Sequence, residues 1–104
     1  MSTDALAVLA EPTRRRILDR IGTSERSVGE LVEALDLSQP AVSKHLRVLR
    51  QAGVVSCRAA AQRRLYRVDP RPLRELDEWL AGYRRLWDTH LDALDRHLDD
   101  QEER

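Results

Sequence analysis

The sequence predicts a mainly helical fold with one small β-hairpin, in the order α-α-α-α-β-β-α, within a single domain that covers residues 1–104. Apolar residues recur at helical spacing in five segments, which is the pattern of amphipathic helices. Between residues 54 and 68 this pattern gives way to two short runs typical of strands. The length of 104 residues is that of one domain.

The first four helices have recognisable ends. Pro12 suits the first turn of the second helix, after a short apolar helix that ends near Leu9. Ser27 followed by Glu30 is a capping box that opens the third helix. Ser38 can cap a fourth helix, which runs to about Ala52, where Gly53 can take the left-handed conformation that closes it. The residues between the third and fourth helices, Asp36 and Leu37, then form a tight turn.

The remaining segments are a hairpin and a long helix. Residues 54–59 and 65–68 predict two strands around a tip at residues 60–63. Asp69 and Pro70 break the second strand, and a helix is predicted from about Pro72 to His97 or beyond. Alternation also predicts that Tyr66 and Val68 point inward and that Arg67 faces water.

The net charge of zero conceals a separation of charge along the chain. Residues 38–74 contain nine Lys or Arg and one acid, whereas residues 75–104 contain ten acids and four bases. A basic middle beside an acidic end indicates a polyanionic partner for the middle alone, although solvated surface charge would give the same composition. We expect no membrane partner and a cytoplasmic location, since there is no long apolar run, no signal peptide and only one cysteine.

The third and fourth helices, Ser27–Leu35 and Ser38–Ala52, form a helix-turn-helix pattern. At 100° per residue, Val42, Leu46 and Leu49 share one face of the fourth helix, which must be its core side. The exposed face and its flanks carry polar and cationic groups near the N-terminal half of the helix, and that end of a recognition helix enters the major groove of DNA. The candidate contacts are Gln39, Pro40, Ser43, Lys44 and Arg47. The alternative is an ordinary amphipathic surface helix.

The hairpin directly after this helix is basic. Arg58, Arg63 and Arg64 are candidate DNA contacts, because arginines on such a wing can hold phosphates or enter a narrow minor groove. The alternative is that these residues simply face water on a two-stranded ribbon.

Three segments together resemble the winged helix-turn-helix repressors of the ArsR type: Leu9–Leu18, Leu37–Leu46 and Leu65–Val68. The string Ser-Gln-Pro-Ala-Val-Ser-Lys-His-Leu within the second segment is the most specific part. The resemblance implies a homodimer, built on the first and last helices, that binds an inverted repeat near its own promoter. It also implies that Gln39, Ser43 and Lys44 contact bases. The hairpin departs from the family pattern, because its tip contains no glycine.

No metal, cofactor or catalytic residue is predicted. Many relatives bind metals through a Cys-x-Cys pair on the third helix, whereas residues 30–35 of this chain contain no thiol or imidazole. Asp88 and His90 form only half of the carboxylate–histidine site that other relatives use. We interpret Cys57 as a small apolar residue of a strand. The sequence contains no nucleophile–base pair or phosphate loop, so we expect the protein not to be an enzyme.

The last helix carries a broad apolar stripe from Leu73 to Leu98, wider than a small core can cover. Aromatic residues are favoured in interface cores, and three of the chain's four lie on this helix. We therefore expect a homodimer whose interface contains Leu6, Leu9, Trp79, Tyr83, Trp87, Leu91 and Leu94.

These features predict a sequence-specific DNA-binding transcriptional regulator, most simply a dimeric, autoregulated repressor of an inverted-repeat operator. One alternative is a winged-helix module that binds another protein. Another is a metal- or thiol-responsive sensor of the same family.

Overall fold

The computed structural model describes the backbone of residues 3–102 and the side chains of residues 5–91 and 93–95. Five helices and three strands follow one another with short connections. They are α1 (Thr3–Leu9), α2 (Pro12–Ile21), β1 (Arg26–Ser27), α3 (Val28–Leu35), α4 (Gln39–Gln51), β2 (Val55–Ala60), β3 (Arg63–Val68) and α5 (Pro70–Glu102). The predicted mainly helical fold with a small β-hairpin is therefore confirmed.

The core is aliphatic and lies between α1, α2, α3, α4 and the start of β2. Ile17, Leu31, Val42, Leu49 and Val54 have no exposed surface. Each of α2, α3 and α4 buries only the side that carries its apolar residues, because polar residues occupy the other side. This shared core fixes the positions of α3 and α4 relative to each other.

The sheet has three strands in the order β1-β3-β2, all antiparallel, where the sequence predicted only two. The additional strand pairs Arg26 with Tyr66 and Ser27 with Leu65. A strand of two residues has no alternating pattern that sequence analysis could detect. It ties the N-terminal end of α3 to the middle of the hairpin.

The hairpin is longer and its turn tighter than predicted, because β2 extends to Ala60 and β3 begins at Arg63. The turn is made by Ala61 and Gln62 alone, and Ala61 takes a left-handed conformation with φ of 56°. An alanine in this region is strained, which is why a turn without glycine could not be placed from the sequence. The prediction of Arg67 as an outward-facing residue is confirmed, since Arg67 is exposed and the neighbouring Tyr66 and Val68 are half-buried.

The last helix begins at Pro70 rather than at Pro72. Asp69 accepts a hydrogen bond from the backbone N–H of Arg71 at 3.1 Å, as an N-terminal cap does, and proline is tolerated in the first turn. At 33 residues, α5 is about 50 Å long, much longer than the core it adjoins. Leu73 packs against the core, whereas the helix from residue 81 onward is exposed wherever side chains are described.

Within residues 3–102, no helix combines the length and the apolar character that crossing a bilayer requires.

Candidate nucleic-acid interface

The helix-turn-helix begins with a capping box on α3, as the sequence predicts. The hydroxyl of Ser27 accepts from the backbone N–H of Glu30 at 3.2 Å, and the Glu30 carboxylate accepts from the backbone N–H of Ser27 at 2.9 Å. These hydrogen bonds hold the pKa of the Glu30 carboxyl below its ordinary value. Both donors would otherwise be unpaired at the helix end.

A single left-handed residue makes the turn between α3 and α4. Asp36 has φ of 54° and ψ of 48°, a conformation that aspartate tolerates better than most residues. Ser38 then caps α4, since its hydroxyl accepts from the backbone N–H of Ala41 at 3.2 Å. The tight turn and the cap fix the direction in which α4 leaves α3.

Helix α4, the predicted recognition helix, has a buried face and an exposed face, as the helical wheel predicts. Val42, Leu46 and Leu49 are at most 1% exposed. The candidate contacts Gln39, Pro40, Lys44 and Arg47 are exposed, and Ser43 is half-buried beside them. The exposed groups of α4 are therefore amide and cationic donors near its N-terminal half, the types that pair with adenine and guanine edges in the major groove.

A polar cluster that the sequence did not predict links α2 to α4. The guanidinium Nε of Arg14 donates to Nδ1 of His45 at 3.2 Å, and Oε2 of Glu11 lies 3.8 Å from the same nitrogen. Partial burial would raise the pKa of the Glu11 carboxyl, but backbone hydrogen bonds from Thr13 and Arg14 lower it below its ordinary value. The cluster contacts α4 at His45, the residue directly after Lys44, and so links this part of α4 to α2.

The three candidate arginines of the wing do not share one face. In the antiparallel register of β2 and β3, Arg58 is opposite Leu65, Ala59 is opposite Arg64 and Ala60 is opposite Arg63. Because side chains alternate along a strand and opposite residues share a face, Arg58 and Arg63 lie on one side of the ribbon and Arg64 on the other. Arg64 therefore lies on the same side of the ribbon as the buried Val55.

Two of these arginines have acidic neighbours. The Nε of Arg58 donates to Oε2 of Glu25 at 2.8 Å, and this hydrogen bond raises the pKa of the Arg58 guanidinium. Arg63 lies 3.7 Å from Glu30, a longer contact. For Arg64, no ion pair occurs among the side chains that the structure describes. The sequence gives no signal for the Arg58–Glu25 pair, whose members are 33 positions apart. Contact of all three arginines with DNA remains a prediction.

Cys57 is half-buried on β2, directly opposite Tyr66 on β3. Burial and the neighbouring thiol raise the pKa of the Tyr66 hydroxyl. In the parts of the chain with described side chains, no group of three or more His, Cys, Asp and Glu residues is placed to hold a metal ion.

Most of the apolar stripe of α5 between Trp79 and Leu94 is on the surface. Seven large apolar residues are 38% to 57% exposed: Leu6, Trp79, Tyr83, Leu86, Trp87, Leu91 and Leu94. Leu9, also predicted to lie in the interface, is half-buried in its own chain. The rings of Trp79 and Tyr83 lie 5.2 Å apart in a tilted arrangement on this face, and α1 packs beside α5. A contiguous apolar surface of this kind typically marks an interaction site.

Comparison with known proteins identifies the family to which this architecture belongs. Residues 11–56, which contain α2, β1, α3 and α4, match the family model described as "Bacterial regulatory protein, arsR family". The HTH-type transcriptional regulator Rv2034 of Mycobacterium tuberculosis is 42% identical over 96 residues, covering 85% of this chain and 90% of that protein. The chain belongs to the ArsR family.

Two further comparisons extend over most of the fold. The transcriptional repressor SdpR of Bacillus subtilis is 30% identical over 83 residues, covering 80% of this chain and 92% of the repressor. The solved structure of an ArsR-like transcriptional regulator from Rhodococcus sp. RHA1 superposes with a TM-score of 0.75 at 26% identity, covering 94% of this chain and 90% of that one. The predicted winged helix-turn-helix fold is thus confirmed beyond the matched motif.

Membership of the ArsR family establishes the class of function. The family consists of DNA-binding transcriptional regulators and not of enzymes, and this chain is such a regulator. Which surfaces of the chain contact DNA stays a prediction, with the exposed face of α4 and the basic wing as the candidates.

Proposed function

We propose that the protein is a homodimeric repressor that binds an inverted-repeat operator with Gln39, Pro40, Ser43, Lys44 and Arg47 of α4 in the major groove. The observation that carries the proposal is the division of α4 into a buried apolar face and an exposed face of amide and cationic groups. The capped turn before α4 supports it, because base contacts require the N-terminal end of the helix to be held in a fixed direction.

The wing would add contacts to the DNA backbone. Arg64 is the strongest candidate, because it is exposed and has no acidic partner among the described side chains. Arg58 and Arg63 would first have to leave Glu25 and Glu30, or share them with a phosphate. These exposed ion pairs contribute little to stability, so the DNA phosphates can compete for the arginines.

The second chain of the dimer would cover the apolar stripe of α5. Its contacts would include Leu6, Leu9, Trp79, Tyr83, Trp87, Leu91 and Leu94. Two α4 helices related by a twofold axis would read two half-sites separated by roughly 34–36 Å, one turn of DNA. Occupation of such an operator near the chain's own promoter would exclude RNA polymerase, and a regulator of this kind acts in the cytoplasm, where bacterial DNA lies.

The alternative of a protein-interaction module is less well supported, because the exposed face of α4 carries Lys44 and Arg47 rather than apolar or acidic groups. A thiol sensor would require an accessible, low-pKa cysteine, whereas Cys57 is half-buried opposite a tyrosine.

Selection of bound sequences from random DNA, followed by footprinting at the chain's own promoter, tests the proposal. We expect an enriched palindrome with half-sites about 10 base pairs apart, and protection of a matching site that overlaps the promoter. Enrichment of a single, non-repeated site would contradict the dimeric mode, and the absence of any enriched sequence would contradict specific recognition by α4.

A further inference from the structure

A basic cavity lies at the C-terminal end of α2. Its volume is about 400 Å³, and it opens between α2, β1 and the last residue of α3. Arg16, Asp19, Arg20, Thr23, Arg26 and Leu35 line it. A volume of this size is within the range of small-molecule sites.

Three guanidinium groups and one carboxylate give the lining a net positive charge. None of Arg16, Arg20 and Arg26 forms an ion pair with a side chain in the described ranges, 5–91 and 93–95. The structure positions one of them, because Nη2 of Arg16 donates to the backbone oxygen of Leu35 at 3.3 Å. Arginine presents several donors in a fixed plane, so a held guanidinium still offers hydrogen bonds to a second partner.

Arg26 is the least satisfied of these residues. Its Nε is buried and donates to no acceptor in the part of the chain that the structure describes. The side chain is half-buried, and its charge helps to lower the pKa of the Glu30 carboxyl. A buried donor without a hydrogen bond is costly, and a negative group in the cavity would offset part of that cost through its attraction to the Arg26 guanidinium.

We propose that this cavity binds an anionic group, a phosphate or a pair of carboxylates, between Arg16, Arg20 and Arg26. Guanidinium groups bind such oxyanions through paired, charge-assisted hydrogen bonds. The phosphate can come from a small phosphorylated molecule or from the backbone of DNA bound by the same protein. The site adjoins the helix-turn-helix, because Leu35, whose backbone oxygen holds Arg16, directly precedes the left-handed turn at Asp36 that leads into α4.

The first test is an NMR titration of the DNA-free protein with inorganic phosphate and then with pyrophosphate, at constant ionic strength. We expect saturable shifts of the backbone amides of Thr23 and Arg26. Arg20→Gln should weaken binding about tenfold, since it removes one charge-assisted partner. Asp19→Asn should tighten binding, because it removes the one carboxylate in the lining, whereas Arg74→Gln, an equal loss of charge outside the cavity, should leave binding unchanged.

The second test distinguishes the two sources of phosphate. If the DNA backbone supplies it, addition of operator DNA will shift the same amides, and Arg20→Gln will reduce the log–log salt slope of operator affinity by about 0.9 per phosphate lost. If a small molecule supplies it, pyrophosphate will bind in the presence of DNA and the slope in Arg20→Gln will equal that of the wild type. The proposal is overturned if neither phosphate nor operator DNA shifts these amides, or if Arg20→Gln and Arg74→Gln weaken binding equally.

Discussion

Replacement of Trp87 by aspartate tests whether the apolar stripe of α5 is the dimer interface. Trp87 is 38% exposed, and a tryptophan buries at most about 150–250 Å², so roughly 80 Å² of it remains for a partner. At ~25 cal/mol per Å² this surface contributes about 2 kcal/mol per chain, or about 4 kcal/mol in a symmetric dimer. Trp87→Asp should therefore raise the dissociation constant of the dimer about a thousandfold, and burial of the new carboxylates would raise it further.

The free energy lost in Trp87→Asp has to be compared with the total that the exposed apolar residues can contribute to association. Full burial of a large apolar side chain contributes ~1.5–3 kcal/mol, so the seven half-exposed residues, which are Leu6 on α1 and six on α5 including Trp87, offer roughly 7 kcal/mol per chain and about twice that in a dimer. Association costs about 4–15 kcal/mol in lost freedom of motion. The margin is small, and loss of about 4 kcal/mol should convert a micromolar sample to monomers.

Light scattering and sedimentation equilibrium at micromolar concentration provide the assay, with circular dichroism to confirm that the helices remain folded. Ala81→Asp is the matched control, because Ala81 lies about 160° from Tyr83 around α5, on the side away from the stripe. The control should remain dimeric. The reasoning is refuted if Trp87→Asp dimerises as strongly as the wild type, or if the wild type is a 12.0 kDa particle that still binds its palindrome tightly.

Three further predictions concern the hairpin, the start of α5 and metals. Ala61→Gly should stabilise the protein by up to about 1 kcal/mol in urea denaturation, because it relieves the left-handed strain at φ of 56°. Ala59→Gly, in the extended strand β2, should destabilise the protein. Equal changes in the free energy of unfolding for the two variants would contradict the turn geometry. Hydrogen bonds from Arg71 lower the pKa of Asp69 from 3.8 to about 2. The stability that Asp69→Asn removes should therefore be fully present above pH 3.8 and disappear as the pH falls through about 2. A difference in melting temperature between the wild type and Asp69→Asn that does not change with pH would count against this pairing. Operator affinity should be the same with zinc as with a chelator, and stoichiometric zinc binding that releases DNA and is lost in His90→Ala would show that the protein senses metal.

Local patterns in the sequence were sufficient for the features that depend on neighbouring residues. The capping box at Ser27 and Glu30 involves residues three positions apart, and both of its hydrogen bonds are present. The buried face of α4 follows from the spacing of Val42, Leu46 and Leu49, since helical geometry alone places these side chains together.

Features that depend on distant residues could not be predicted. The strand at Arg26 and Ser27 exists because β3 offers it a free edge. The ion pair of Arg58 with Glu25, and the cluster of Glu11, Arg14 and His45, join segments that only the complete fold brings together. The position of the hairpin turn was misjudged because Ala61 adopts a conformation that local preference disfavours, imposed here by the pairing of β2 with β3.

The operator affinity of the double variant Gln39→Ala, Lys44→Ala is the most direct test of the claim that the exposed face of α4 reads DNA. Both side chains are exposed, so the variant should fold as the wild type does. Each base contact contributes ~1–3 kcal/mol to discrimination. We expect a loss of at least about tenfold in operator affinity, with a smaller loss on unrelated DNA, whereas Arg85→Ala, a loss of one positive charge on the outer side of α5, should bind the operator normally. A double variant that folds correctly and binds the operator with wild-type affinity would contradict the account.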